Sequence, residues 1–257
     1  MRNKSHHEKH SFAFFYAETT KLCHDNRRGA HLIVQDRVLC HRIMHVLRLE
    51  KGQTFTLFDS DKHMVCELQE VNERHVNMLL QSSACNVQYT PSITFLLPLL
   101  KKEAFDQAIY ALAELGASDV KVVMTKKTQR AWGGQKEAER IERILQAAAE
   151  QSKNFAFPHV SSPVPLMNAV NDLHPESIKI FFDPEGCHLN TLIHSIYTSL
   201  PINIVLLIGP EGDLTADEKC SLNHSGFVFC RLTDTILRAQ QAVAVSLGAL
   251  RSMVRTS

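Results

Sequence analysis

Five apolar runs in the later part of the chain constrain its fold more than any other feature. They are SITFLLPLL (Ser92 to Leu100), DVKVVMT (Asp119 to Thr125), IKIFFDPEG (Ile178 to Gly186), INIVLLIGPEG (Ile202 to Gly212) and GFVFCRL (Gly226 to Leu232). The last three are continuously apolar rather than alternating, so each needs cover on both faces, the condition of a strand in a parallel sheet enclosed by helices. The segments between them can supply that cover. Lys102 to Leu115 sets Phe105, Ile109, Leu112 and Leu115 on one helical face and stops at Gly116, which suits a C-terminal cap. Gln135 to Lys153 is a charged amphipathic helix with Ile141, Ile144, Leu145 and Ala148 as its buried stripe. Such alternation predicts an α/β fold. The final helix, Ile236 to Val254, is rich in small side chains that allow close approach, which suits either the centre of the domain or a subunit interface.

Before residue 87 the texture differs. Gln53 to Asp61, His63 to Val71 and His75 to Gln81 are short segments bounded by turn residues, which predicts a small antiparallel sheet or barrel. Within CHRIMHVLRLEKG, the residues His41, His45 and Arg48 fall at i, i+4 and i+7, so a helix here would align them on one face. That face is either solvated or turned toward RNA. Over residues 1–90 Lys and Arg barely outnumber Asp and Glu, and the whole chain carries a formal charge of +1. Any role with nucleic acid must therefore rest on local placement of cations.

Composition excludes several classes. With 44% hydrophobic and 21% charged residues the profile is that of a globular protein, and no apolar run reaches the roughly 18 to 20 residues of a spanning helix. The beginning MRNKSHHEKHSF lacks the apolar centre of a secretory signal, so no export and a cytoplasmic location are expected. His6, His7 and His10 are read as part of a polar arm rather than a metal site. Seven cysteines without a CxxC pair suggest neither a disulfide scaffold nor structural zinc, and no metal is expected.

Ligands of parallel α/β sheets bind beyond the carboxyl ends of the strands. Three consecutive ends here are unusual: Phe182-Asp183-Pro184-Glu185-Gly186, Gly209-Pro210-Glu211-Gly212-Asp213 and Thr233-Asp234-Thr235-Ile236-Leu237-Arg238. Together they are expected to wall one pocket. In the middle loop Gly209 and Gly212 permit close backbone approach and positive φ, Pro210 stiffens the turn, and Thr215 with Glu218 forms a capping box for the next helix. The loop lacks the Lys-Ser/Thr of a phosphate-binding P-loop and the GxGxxG spacing of a dinucleotide fold.

The stretch LLIGPEGDLTADE, followed one strand later by LTDTILRAQQAVAVSLGAL, resembles the paired signature of the RsmE family, the 16S ribosomal RNA uridine-N3 methyltransferases of the trefoil-knotted SPOUT class. LAELGASDV (Leu112 to Val120), ILQAAAEQSKNFAFPHV (Ile144 to Val160) and HRIMHVLRLEKGQTFTLFD fit the same family in order, so the likeness runs nearly end to end. It implies a polar arm over residues 1–10, a PUA-like RNA-binding β-barrel over 11–86 and a SPOUT-type α/β methyltransferase domain over 87–257. It further implies a homodimer with 16S ribosomal RNA or the small ribosomal subunit as partner, and S-adenosylmethionine as cofactor. The cofactor site so implied comprises Asp183, Pro184, Glu185, Ile208, Gly209, Pro210, Glu211, Gly212, Leu232, Thr233, Ile236, Leu237 and Arg238. Arg238 and Glu211 are the catalytic candidates, and Arg42, His45, Arg48, Lys101 and Lys153 the RNA-binding ones. Arg238 either grips RNA phosphate or favours a deprotonated uracil, or it pairs with Glu211 or Asp234 as a structural cation.

The chain departs from the family pattern at Asp213 and Thr233, where Gly is usual, at Gln240 in place of a carboxylate, at Asn154 in place of Arg and at Ala111 in place of Lys. Lys153 is a neighbour able to replace part of what Asn154 lacks. These departures leave a second reading open, a divergent paralogue that binds RNA or assists ribosome assembly with weak catalysis.

Overall fold

A computed structural model describes residues 12–192 and 203–253. His6, His7, His10, Ile202 and Val254 lie outside the described residues. The chain divides into two compact units, Met1–Val87 and Gln88–Ser257.

The first unit is built from β1 (Phe12–Phe15), α1 (Thr19–Asp25), β2 (His31–Val34), α2 (Arg37–His41), a π-helical turn over Arg42–Val46, β3 (Thr54–Phe58), β4 (Lys62–Val71) and β5 (Val76–Cys85). Its five-stranded sheet has the order β1-β3-β4-β5-β2. The three strands expected from alternation are present and antiparallel, but β1 runs parallel to β3, so the sheet is mixed. Alternation carries Met64, Cys66, Leu68, Val76, Met78 and Leu80 inward, where they meet Phe14, Phe55 and Leu57. At the end of β3 the buried Asp59 carboxylate accepts from the Thr20 amide, the Thr20 hydroxyl and the Asp61 and Lys62 amides, tying α1 to the β3–β4 turn.

One expectation for this unit fails. His41 and His45 lie side by side with ring centroids 5.1 Å apart and planes tilted by 43°, but Arg48 leaves their face. The Leu47 amide reaches back to the Arg42 carbonyl, an i to i+5 bond, and Arg48 then adopts φ 51°. A π turn carries more residues per revolution than an α-helix, so the i+7 register is lost.

The second unit contains β6 (Ser92–Pro98), α3 (Lys102–Glu114), β7 (Asp119–Met124), α4 (Gln135–Ser152), β8 (His159–Val160), β9 (Val164–Pro165), α5 (Leu166–Asn171), β10 (Ile178–His188), β11 (Asn203–Ile208), α6 (Ala216–His224), β12 (Phe227–Arg231) and α7 (Ala239–Met253). The sheet order is β12-β10-β11-β6-β7-β8, β9 also pairs with β7, and all these pairs are parallel. The continuous apolar runs are explained by what covers each face. Ile93, Phe95, Leu97, Ile204, Leu206 and Ile208 pack with Phe105, Ile109, Leu112, Ile141, Leu145, Val243 and Leu247 of α3, α4 and α7. Leu96, Val205 and Leu207 face Leu166, Val170 and Leu222 of α5 and α6 on the other side. A buried Leu or Ile contributes roughly 1.5 to 3 kcal/mol, so neither face can be given up.

Two helix boundaries sharpen the sequence reading. At α3, Gly116 with φ 78° allows Ala117 N–H to reach the Leu112 carbonyl and Gly116 N–H the Ala113 carbonyl, the paired bonds of a Schellman cap. Leu115 and Ile144 are only partly buried, so the expected apolar stripes are slightly narrower than read. The last helix starts at Ala239, not Ile236, which is 84% exposed in the preceding loop. It takes a central place in its own domain, burying Val243, Ser246, Leu247 and Leu250.

Candidate functional site

The strand order turns back between β11 and β6, since β6 leads to β7 and β8 on one side while β10, β11 and β12 lie on the other. That switch point is where an open α/β sheet leaves a crevice at its carboxyl ends. A cavity of about 790 Å³ lies there, walled by the segments that follow β6, β10, β11 and β12. Lys101, Glu103 and Ala104 come from the start of α3. Asp183 ends the buried part of β10 and Pro184 follows it, Ile208 ends β11 and Gly209, Pro210, Glu211 and Asp213 follow it, and Leu232, Thr233, Ile236, Leu237 and Arg238 follow β12. Thus the three loops singled out from sequence meet around one cavity. Glu185 and Gly212 belong to those loops but do not line it.

The first loop is not a strand end in the expected sense. β10 leaves β11 after Phe182, shifts register, and continues beside β12 with Cys187 opposite Cys230 and His188 opposite Arg231. Gly186 makes the second pairing possible. A Cβ there would stand 2.5 Å from the Cys230 nitrogen and 2.6 Å from the Phe229 carbonyl carbon, so only glycine lets the backbones pass.

In the middle loop the Asp213 amide donates to the Pro210 carbonyl at 2.9 Å, closing a turn around Glu211 and Gly212. Positive φ was expected at Gly209 and Gly212; it falls on Asp213 instead, with φ 57°. Asp is among the few side-chain-bearing residues that enter this region readily, because its short polar group bonds locally. Here Asp213 Oδ1 accepts from the Leu214 amide at 2.7 Å. The turn is held from outside as well. Glu211 Oε1 accepts from the Lys101 amide at 3.0 Å, and Lys127 Nζ donates to the Gly212 carbonyl at 2.8 Å. The expected capping box is present at α6, with Thr215 Oγ1 accepting from Glu218 N–H and Glu218 accepting from Thr215 N–H. Glu218 Oε1 also accepts from the Lys126 amide at 2.7 Å. Burial alone would raise the Glu218 carboxyl, but the amides of Thr215 and Lys126 bring it below the ordinary carboxylate value.

Lys219 was not anticipated. Its Nζ lies 2.6 Å from Asp183 Oδ2 and 2.8 Å from Asp213 Oδ2, linking the first loop to the second. Burial would lower this ammonium, yet the two carboxylates raise it overall. Nothing in the sequence relates Lys219 to Asp183 or to Asp213.

Arg238 stands exposed on the cavity rim, and among the described residues it makes no ion pair with Glu211 or Asp234. Its structural alternative is therefore not realised. Thr233 closes its own turn by donating from Oγ1 to the Thr235 carbonyl, without the positive φ that would demand glycine. Gln240 lines the cavity from the first turn of α7. Asn154 is buried, and its Nδ2 donates to the Ala113 carbonyl at 2.8 Å, joining the end of α4 to the end of α3. Ala111 sits on α3 outside the main cavity.

The RNA-binding candidates fall in both units. Lys101 is on the cavity rim. Lys153 is the left-handed C-cap of α4, with Nζ on the Glu150 carbonyl. In the first unit Arg42 lies over the Phe14 ring at 4.9 Å, while His45 and Arg48 are exposed. Among the described residues no cluster of His, Cys, Asp and Glu fits a metal ion, and no helix is long and apolar enough to cross a membrane.

Residues 88–251 match the RNA methyltransferase domain family. Over 221 residues the chain is 29% identical to ribosomal RNA small subunit methyltransferase E of a Synechocystis species, covering 84% of this chain and 71% of that protein. A relative of the same name from Mycobacterium bovis is 27% identical over 167 residues, 62% of this chain and 63% of its own length. In three dimensions the chain superposes on the Neisseria gonorrhoeae ribosomal RNA small subunit methyltransferase E, solved bound to S-adenosyl methionine, with a TM-score of 0.79 at 21% identity over 95% of this chain and 98% of that one.

Proposed function

From the premise that this chain belongs to the RNA methyltransferase family, we propose that it transfers the methyl group of S-adenosylmethionine to N3 of a specific uridine in the 16S RNA of the small ribosomal subunit. The observation that carries this reading is the single cavity formed by the loops after β10, β11 and β12. Its volume lies within the range of small-molecule sites. Its chemistry suits the cofactor, since the apolar Ile208, Leu232 and Leu237 offer cover for a purine. The relatives named above support the choice of substrate class.

S-adenosylmethionine supplies, when bound, a methyl already activated by a positive sulfur. What is left to the protein is positioning of the two reactants and stabilisation of the uracil without its N3 proton. Backbone groups of Ile208, Gly209, Leu232 and Leu237 would hold the cofactor. Arg238 is the side chain that would lower the cost of the uracil anion or grip an adjacent phosphate, because among the described residues its charge is not spent on a protein carboxylate. Residues 11–86 would serve as the RNA-binding barrel and 87–257 as the methyltransferase domain, working in the cytoplasm as a homodimer.

The departures from the family pattern give little support to an inactive paralogue. Asp213 itself adopts a positive φ of 57°, and Thr233 needs no glycine. Mass spectrometry of 16S RNA from a deletion strain tests the assignment. The expected result is loss of one N3-methyluridine, restored by the wild-type gene; full methylation without the gene would reject it.

A further inference from the structure

We propose that Lys219 is a positioning residue for the cofactor, an ammonium clamp that sets the loop after β10 against the loop after β11. The inference rests on reading the cavity as an S-adenosylmethionine site. Its basis is a repeated pattern of contacts. Asp183 uses Oδ1 to accept from the Glu185 amide of its own loop at 2.8 Å and Oδ2 to meet Lys219. Asp213 likewise uses Oδ1 for the Leu214 amide of its own loop and Oδ2 for Lys219. Each carboxylate therefore fixes its own turn with one oxygen and is joined to the other turn, through one nitrogen, with the second.

The two ends of the clamp differ in environment. The Asp183 side chain is 4% exposed and Lys219 26%, whereas Asp213 is 55% exposed. A buried carboxylate without a partner is strongly unfavourable, so Asp183 requires the cation. The Asp213 contact taken alone would add little stability, as exposed pairs generally do. Its effect is instead geometric. Asp213 closes the turn that carries Glu211, and its Oδ1 sits 3.2 Å from where a Cβ on Gly209 would be. Moving Asp213 therefore moves two residues of the cavity wall. The carboxylate that departs from the family pattern is one half of this clamp.

The test uses the full-length chain and the variants Lys219→Met, Lys219→Arg, Asp213→Gly and the Asp213→Gly/Lys219→Met double. Calorimetry measures affinity for S-adenosylmethionine, and steady-state methylation of small-subunit RNA separates KM for the cofactor from kcat. Lys219→Met is expected to weaken cofactor binding by about tenfold and to raise its KM similarly, while kcat at saturating cofactor stays within about threefold. Lys219→Arg should recover part of the loss. Asp213→Gly should weaken binding on its own, and in that background Lys219→Met should cost less, because the residues act together. Wild-type affinity in Lys219→Met or in Asp213→Gly, or additive losses in the double variant, would overturn the clamp. A lowered melting temperature with unchanged cofactor KM would do the same, since it marks a merely structural pair. If Lys219→Met does not fold, Asp213→Gly decides alone, because its carboxylate is largely exposed. A wild-type chain that gives no heat with S-adenosylmethionine would overturn the reading of the cavity itself.

Discussion

The side chain of Glu211 accepts a hydrogen bond from the backbone N–H of Lys101 at 3.0 Å, across 110 residues of sequence. Lys101 is the N-cap of α3, so the carboxylate lies where the helix presents its partial positive charge, a location that favours an acid. Glu211 thus fastens the turn after β11 to the segment after β6. Glu211→Gln should keep an acceptor and leave cofactor affinity within about threefold, whereas Glu211→Ala should weaken it by about tenfold and lower stability by about 1 kcal/mol. Calorimetry and urea denaturation check both; equal effects of the two substitutions would contradict the argument.

Arg238 is exposed and makes no ion pair among the described residues. Arg238→Ala is therefore expected to leave the melting temperature unchanged and to reduce kcat/KM for the RNA substrate by about 100-fold, the scale of one preorganised charge lost from a transition state. Thermal melting beside a methyl-transfer assay measures the two quantities.

Two glycines should respond oppositely to alanine. Gly186→Ala forces a Cβ within 2.5 Å of the Cys230 nitrogen and is expected to cost about 1 to 3 kcal/mol or more, as overpacking does. Gly248→Ala lies within α7, where the nearest atom is Leu115 Cδ1 at 3.9 Å, and should gain up to about 1 kcal/mol from helix propensity. Denaturant midpoints give the sign of each change.

Asn154→Ala removes the Nδ2 donor from the buried Ala113 carbonyl and is expected to destabilise by about 1 to 3 kcal/mol. Its effect on RNA affinity should be small, because the amide is turned inward. Filter binding at fixed salt, set beside unfolding curves, distinguishes the two consequences.

Acid sensitivity of the first unit should centre on Asp59. Burial would raise its carboxyl, but the amides of Lys62, Thr20 and Asp61 together hold it below the ordinary 3.8. A folded-state value below the unfolded one contributes stability that is present above the unfolded value and lost as pH falls through the folded one. Wild type should therefore lose stability below about pH 4 more steeply than Asp59→Asn, which should be weaker at neutral pH. Urea midpoints of both chains across that range check the sign.

Much of the architecture was legible because it depends on local pattern. Continuous apolar runs announced strands covered on both faces, and Thr215 with Glu218 announced a helix start. The lost register at Arg48 was not legible, since an i to i+5 turn has no distinctive composition. Nor was the second pairing of β10, which depends on Gly186 lying against Cys230 of another strand.

For the candidate site, the sequence by itself determined which loops gather at the strand ends, because a parallel sheet sends them to one edge. Tertiary structure decided how those loops are held. Lys219 reaches both Asp183 and Asp213, Glu211 reaches Lys101, and Asn154 spends its amide on Ala113. Hydrogen bonds and ion pairs act over about 3 Å, and which groups come that close is set by the packing of helices on the sheet rather than by spacing along the chain.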